Sequence, residues 1–244
     1  MKLPACRIAA VITAAAFLLS ACCLYRGDFV SLATPEQQTE AIRRYCSADE
    51  TVVSLQAVLH PAVVHDRTIG STRVLVFTDR EIPRLLGSVQ FRRGIFGGWQ
   101  PIRASYAAGP VMGTETLKNQ EGIRIVYAAD CPPEVASYRV QANPDQPDTL
   151  MVEGTVDGPA FFHVYETDRN YFPSLHLYGA DGTELDRRDY LAADPDVPSP
   201  GIGSAETNLV YWVCGGWLVI GWLIVRYLWD GGRSRPVTNP AAGD

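Results

Sequence analysis

Hydrophobic and polar positions follow three rhythms along the chain. Two stretches are long and apolar: Ile8–Tyr25, which carries no charge, and Asn208–Trp229, whose one charge, Arg226, lies close enough to the end to snorkel. Between them the pattern is helical at first and then alternates with period two, the signature of strands with one buried face. Thr34-Pro35-Glu36-Gln37 opens the helical part, with Thr34 as cap, Pro35 at the first helical position and Gln37 closing a capping box. That helix is predicted to end near Tyr45. Ser47 and Glu50 form a second capping-box pattern, and Val52, Leu55, Val58 and Leu59 follow at helical spacing until Pro61. A strand over 53–59 fits the same residues, and helix is the preferred reading.

From residue 62 onward the alternation predicts strands over 62–69, 72–78, 86–91 and 100–106, a four-stranded antiparallel meander. Gly70-Ser71 supplies a two-residue turn, and Gly94, Gly97 and Gly98 make a tight or bulged hairpin. Residues 107–120 read as loop and as the best internal boundary. Further strands are predicted over 123–128, 136–141, 150–156, 161–166, 174–178 and 184–190, with Asp181-Gly182 as a hairpin turn before the last. Turns recurring every 8–12 residues or so are the rhythm of a β-sandwich or barrel. The fold class expected is therefore mostly β (α+β): an antiparallel meander and a sandwich-like domain, with one or two short N-terminal helices and a C-terminal transmembrane helix.

The apolar stretches set the domain plan. The 22 residues of Asn208–Trp229 span about 33 Å as a helix, enough for a hydrocarbon core. Tyr211 and Trp212 near one end, and Tyr227 and Trp229 near the other, form an aromatic belt. Cys214, Gly215, Gly216 and Gly221 offer a close approach to a partner helix. Lys2 and Arg7 give the first stretch the positive start of a signal peptide. Leu19-Ser20-Ala21-Cys22 resembles the lipobox of bacterial lipoproteins, and the resemblance implies cleavage before Cys22 and lipidation of its thiol. An uncleaved membrane helix and ordinary signal cleavage remain open beside it. The plan is a signal, lipobox or anchor over 1–25, a β-rich domain over 26–206, a membrane helix over 207–229 and a short tail over 230–244.

Charge then orients the plan. Residues 26–206 hold 16 Lys and Arg against 25 Asp and Glu, a net −9, whereas the two ends together are net +3. An acidic middle argues against nucleic-acid binding. Basic flanks argue, by the positive-inside rule, for a cytoplasmic tail and an extracytoplasmic middle domain in the cell membrane. Of six cysteines, only Cys46 and Cys131 fall in that domain. In an oxidising compartment they form a natural disulfide pair, closing a loop of about 85 residues worth about 4–5 kcal/mol.

Catalytic patterns give little. His60, His65 and Asp66, and His163, Glu166 and Asp168, cluster in sequence without a metal-ligand spacing. Asp181, Glu184 and Asp186 do not meet an EF-hand pattern. No cofactor or metal is expected. The segment with most binding character is the hairpin, where Arg92, Arg93 and Arg103 accompany Phe96 and Trp99 inside an acidic domain. The expected function is a non-enzymatic, membrane-anchored extracytoplasmic binding module of a bacterial cell envelope, its partners the membrane and a protein or envelope polymer. The alternatives are an envelope hydrolase using a carboxylate pair and a structural accessory subunit of a membrane complex.

Overall fold

The computed structural model describes residues 5–46, 60–117, 120, 122–142, 150–167, 173–194 and 206–231. The helix or strand expected over 51–59 and the proline-rich linker expected over 195–205 lie outside the described residues. The chain divides into two units, the terminal segments 1–28 with 208–244, and the β-rich segment 29–207.

In the terminal unit, α1 (Ala5–Asp28) and α4 (Glu206–Gly231) are each long and apolar enough to cross a membrane. They pair antiparallel: early residues of one meet late residues of the other. The Arg7 guanidinium lies 5.3 Å from the Trp229 ring centre, and Phe17 and Trp217 sit 4.9 Å apart. The Trp217 indole N–H donates to Ser20 Oγ at 2.6 Å. Gly221 makes the close approach: a Cβ there would stand 2.6 Å from Cγ of Phe17. The glycine expected to receive a partner helix therefore receives one from the same chain.

The β-rich unit begins with α2 (Pro35–Cys46). Its cap differs in detail from the expected box. Thr34 Oγ1 accepts from the Gln37 N–H at 3.3 Å, but Gln37 Oε1 reaches back to the Ala33 N–H and Ser31 Oγ instead. Strands β1 (Pro61–Ile69), β2 (Thr72–Asp79), β3 (Leu85–Arg93) and β4 (Trp99–Ala108) form the expected antiparallel meander in the order β1-β2-β3-β4. Alternation in β2 sorts its side chains to two buried faces. Leu75 and Phe77 meet Ala41, Ile42 and Cys46 of α2, while Val74 and Val76 meet Leu117, Ile125 and Tyr127 on the other side.

Six more strands make two further antiparallel sheets. β5 (Met112–Thr116), β6 (Ile123–Ala128) and β9 (Phe161–Glu166) run in the order β5-β6-β9. β7 (Ser137–Gln141), β8 (Leu150–Thr155) and β10 (Ser174–Tyr178) run in the order β10-β7-β8. Val126 and Ala128 join Tyr138, Val140, Leu175 and Leu177 in a core shared by both. The middle sheet is thus covered twice, and β6 accordingly buries Ile125, Val126, Tyr127 and Ala128 in succession.

Three expectations are corrected. The segment 107–120, read as loop, contains β5. The strand expected over 184–190 is a single bridge, Tyr178 to Glu184, followed by the short helix α3 (Arg187–Tyr190), because Asp186 accepts from the Arg188 N–H at 2.9 Å and caps it. The expected disulfide is absent: Cys46 and Cys131 are both free and buried. Cys46 packs in the core under α2, and Cys131 in the core shared by the other two sheets, so each serves as a small apolar side chain.

Candidate functional site

The first sheet has two ends of opposite character. At one end the β1–β2 turn and the β3–β4 hairpin come together, Arg93 N–H donating to the Ser71 carbonyl at 3.4 Å. Gly97 and Gly98 take φ of 86° and 76°, so the chain reverses there at little cost. This projects Ile95 and Phe96, which are 78% and 85% exposed. Arg93 is exposed, whereas Arg92 is half-buried and donates through Nη2 to Gln100 Oε1 at 2.7 Å.

Trp99 stands at the base of this hairpin. Its backbone exchanges two hydrogen bonds with Val30, at 2.8 and 2.9 Å. Its ring is half-buried against the core under α2, with the Arg73 guanidinium 5.6 Å from the ring centre. Arg73 is itself held by both Asp66 oxygens, at 2.8 and 2.6 Å, and that pairing raises its affinity for its proton. Of the residues singled out from sequence, Arg92, Arg93, Phe96 and Trp99 therefore share one end of the sheet. Arg103 points elsewhere, toward Glu115. Ile95 was missed; its place beside Phe96 between two glycine positions was the available signal.

Glu115 is the centre of a buried polar cluster between the first and middle sheets. Ser88 Oγ and the Tyr127 hydroxyl donate to its Oε1 at 2.5 and 2.6 Å, and Gln90 Nε2 donates to Oε2 at 2.9 Å. Arg103 Nε stands 3.8 Å from Oε2. Burial, then the Glu115 charge, hold the Tyr127 phenol well above its usual range. Each donor comes from a different position on β3, β4 or β6. The arrangement satisfies a carboxylate that burial alone would make costly, and it fixes the two sheets against each other.

At the opposite end of the first sheet lies a cleft of about 1050 Å³. Leu85, Leu86, Val135 and four prolines line its walls, with Asp79, Asp130, Glu134 and Asp189 against a single Arg84. Much of this polarity is structurally engaged. Asp79 accepts from the N–H groups of His60, Glu81 and Ile82 at 2.9, 2.8 and 3.2 Å. Glu134 accepts from the Tyr190 hydroxyl at 3.2 Å, and Arg84 Nη2 donates to the Asp189 carbonyl at 3.2 Å. Arg84 has φ of 54°, the sole positive φ at a non-glycine among the described residues. Cys131 borders the cleft, but burial and then Glu134 and Asp130 push its thiol up to about 11. At neutral pH it is a thiol, not the thiolate that nucleophilic chemistry requires.

The histidines are dispersed. His60 meets Glu81 at 2.9 Å, His65 the Ala128 carbonyl at 3.0 Å, His163 the Tyr138 hydroxyl at 2.8 Å and His176 Glu184 at 2.5 Å. Among the described residues no three His, Cys, Asp or Glu converge as metal ligands. Asp181 Oδ1 accepts from the Thr183 N–H and hydroxyl at 3.0 and 2.6 Å, an Asx turn. Comparison with known proteins leaves the geometry to speak alone: no family model, no curated protein and no solved structure matches the chain.

Proposed function

We propose that this chain is a membrane-anchored, extracytoplasmic binding module of a bacterial cell envelope. The observation that carries the reading is the cleft of about 1050 Å³, borne by a β-rich unit that two apolar helices bracket in sequence. Four carboxylates against one guanidinium suit a partner segment carrying basic and apolar side chains, taken up along a proline-lined wall. The high pKa of Cys131 and the backbone engagement of Asp79 support binding rather than catalysis there.

The anchoring reading has α1 retained as a membrane helix, because Phe17, Ser20 and Arg7 already have partners on α4. Antiparallel spanning helices put the start of α1, with Arg7, on the same side as the end of α4, and the positive-inside rule makes that side cytoplasmic. The shared core between the two three-stranded sheets supports a sandwich for the distal half.

The test is site-specific photo-crosslinking of the full-length protein in its native membranes, from position 134 at the cleft and from position 153 on an exposed strand. A discrete adduct from 134 alone, lost in the Asp130→Asn/Asp189→Asn double variant, is the expected outcome. Equal or no adducts from the two positions contradict the cleft as the binding site.

A further inference from the structure

We infer that the β3–β4 hairpin tip is a second, non-covalent membrane contact, in which Ile95 and Phe96 enter the headgroup layer of the anchoring bilayer. The inference rests on the anchored reading and adds to it a surface of definite chemistry. Three independent observations converge. The first is exposure: Ile95 and Phe96 are adjacent, large and apolar, and both are more than three-quarters exposed. The second is connectivity. α1 ends at Asp28, and Phe29 and Val30 are already placed on the hairpin, Val30 through its paired backbone bonds to Trp99 and Phe29 beside Gly98. Only three residues, Phe96 to Gly98, separate Ile95 from Trp99, so the tip is a short stretch of chain from the residues that directly follow the apolar helix.

The third observation is charge. The sheet end that carries the tip also carries exposed Arg67 and Arg93, in a domain that is acidic elsewhere. An aromatic and a branched aliphatic side chain flanked by arginines match the interfacial zone, where apolar bodies sit below and guanidinium groups meet anionic headgroups. A lipid surface therefore fits the patch.

The experiment uses the full chain in nanodiscs of phosphatidylethanolamine and phosphatidylglycerol, with Cys6, Cys22, Cys23 and Cys214 replaced by Ala. One variant carries Ile95→Cys and a second Asp181→Cys, each labelled with a polarity-sensitive fluorophore. Asp181 is the reference because its turn packs beside Glu134 at the cleft end. Headgroup spin-labelled lipid should quench the label at 95 at least twofold more than the label at 181, and Phe96→Glu should reduce that difference. Equal quenching at both positions in incorporated protein overturns the inference and leaves the anchored reading standing. Failure of the chain to enter nanodiscs overturns the anchored reading and this inference together.

Discussion

Tyr127 lies across Gly113, its directly opposed neighbour on the adjacent strand, and from there its hydroxyl reaches Glu115 at 2.6 Å. A Cβ at residue 113 would stand 2.6 Å from Cζ of the ring. The same device occurs once in each other sheet, Phe77 over Gly87 and Tyr138 over Gly154. In each pair the missing side chain makes room for a ring that fills the layer above. Gly113→Ala should therefore displace Tyr127 and cost about 2–4 kcal/mol, from overpacking and a lost hydrogen bond to a carboxylate. Thermal unfolding of the full-length protein in nanodiscs checks this, with Gly158→Ala, which meets nothing within 4 Å, as the near-neutral control.

The Glu115 cluster predicts unequal costs for its members. Glu115→Gln keeps the shape but replaces one acceptor oxygen by a donor, facing donors that are already in place. We expect a loss of about 3 kcal/mol. Arg103→Met should cost under about 1 kcal/mol, because the Arg103 side chain is 37% exposed and its 3.8 Å approach is screened by water. Comparable losses for the two variants would show that the ion pair, not the hydroxyl and amide donors, holds the carboxylate.

Free buried thiols predict a pH effect as well as a chemical one. Burial pushes Cys46 up to about 12, and Cys131 reaches about 11. Both values are raised on folding, so the stabilising difference is intact below the unfolded thiol value of about 9 and is lost as pH rises through 11 to 12. Stability should be flat across neutral pH and fall above about pH 9. Alkylation at pH 8 should leave Cys46 and Cys131 unmodified in the native protein and modify both after unfolding. Migration on non-reducing and reducing gels should coincide.

Most strands were legible because residues 61–108 and 123–178 alternate between clear turn residues. β5 was not, because Gly109, Pro110 and Gly113 look like a loop and Thr114-Glu115-Thr116 looks solvated. Its burial depends on donors from β3, β4 and β6, which no local pattern reveals. The helix at 187–190 was hidden by the same locality: Glu184 makes one bridge, and Asp186 then caps a turn. Compartment logic suggested a disulfide, but two cysteines serving different cores are indistinguishable in sequence from a pair. The cleft was illegible for a simpler reason, since Pro110, Pro132 and Pro159 come from separate connections.

The helix pair makes its own prediction. Gly221→Leu should push Phe17 away and loosen α1 from α4, because even a Cβ at Gly221 would stand 2.6 Å from Cγ of Phe17. Cys214 Sγ lies 3.8 Å from the Ala21 carbonyl, so oxidation of an Ala21→Cys variant lacking Cys22 and Cys23 should cross-link it to Cys214. Gly221→Leu should lower that yield severalfold. The protein extracted from membranes should keep residues 1–21; their loss with a lipid on Cys22 would remove α1 from the account.

Sidedness of the two units is the most direct test. In spheroplasts expressing the chain with Cys6, Cys22, Cys23 and Cys214 replaced by Ala, a membrane-impermeant maleimide would be offered to Asp181→Cys and Ser234→Cys variants. The account predicts that position 181 labels in intact spheroplasts and that position 234 labels only after lysis. Labelling of 234 with protection of 181 would place the β-rich unit inside the cell and contradict the anchored extracytoplasmic module.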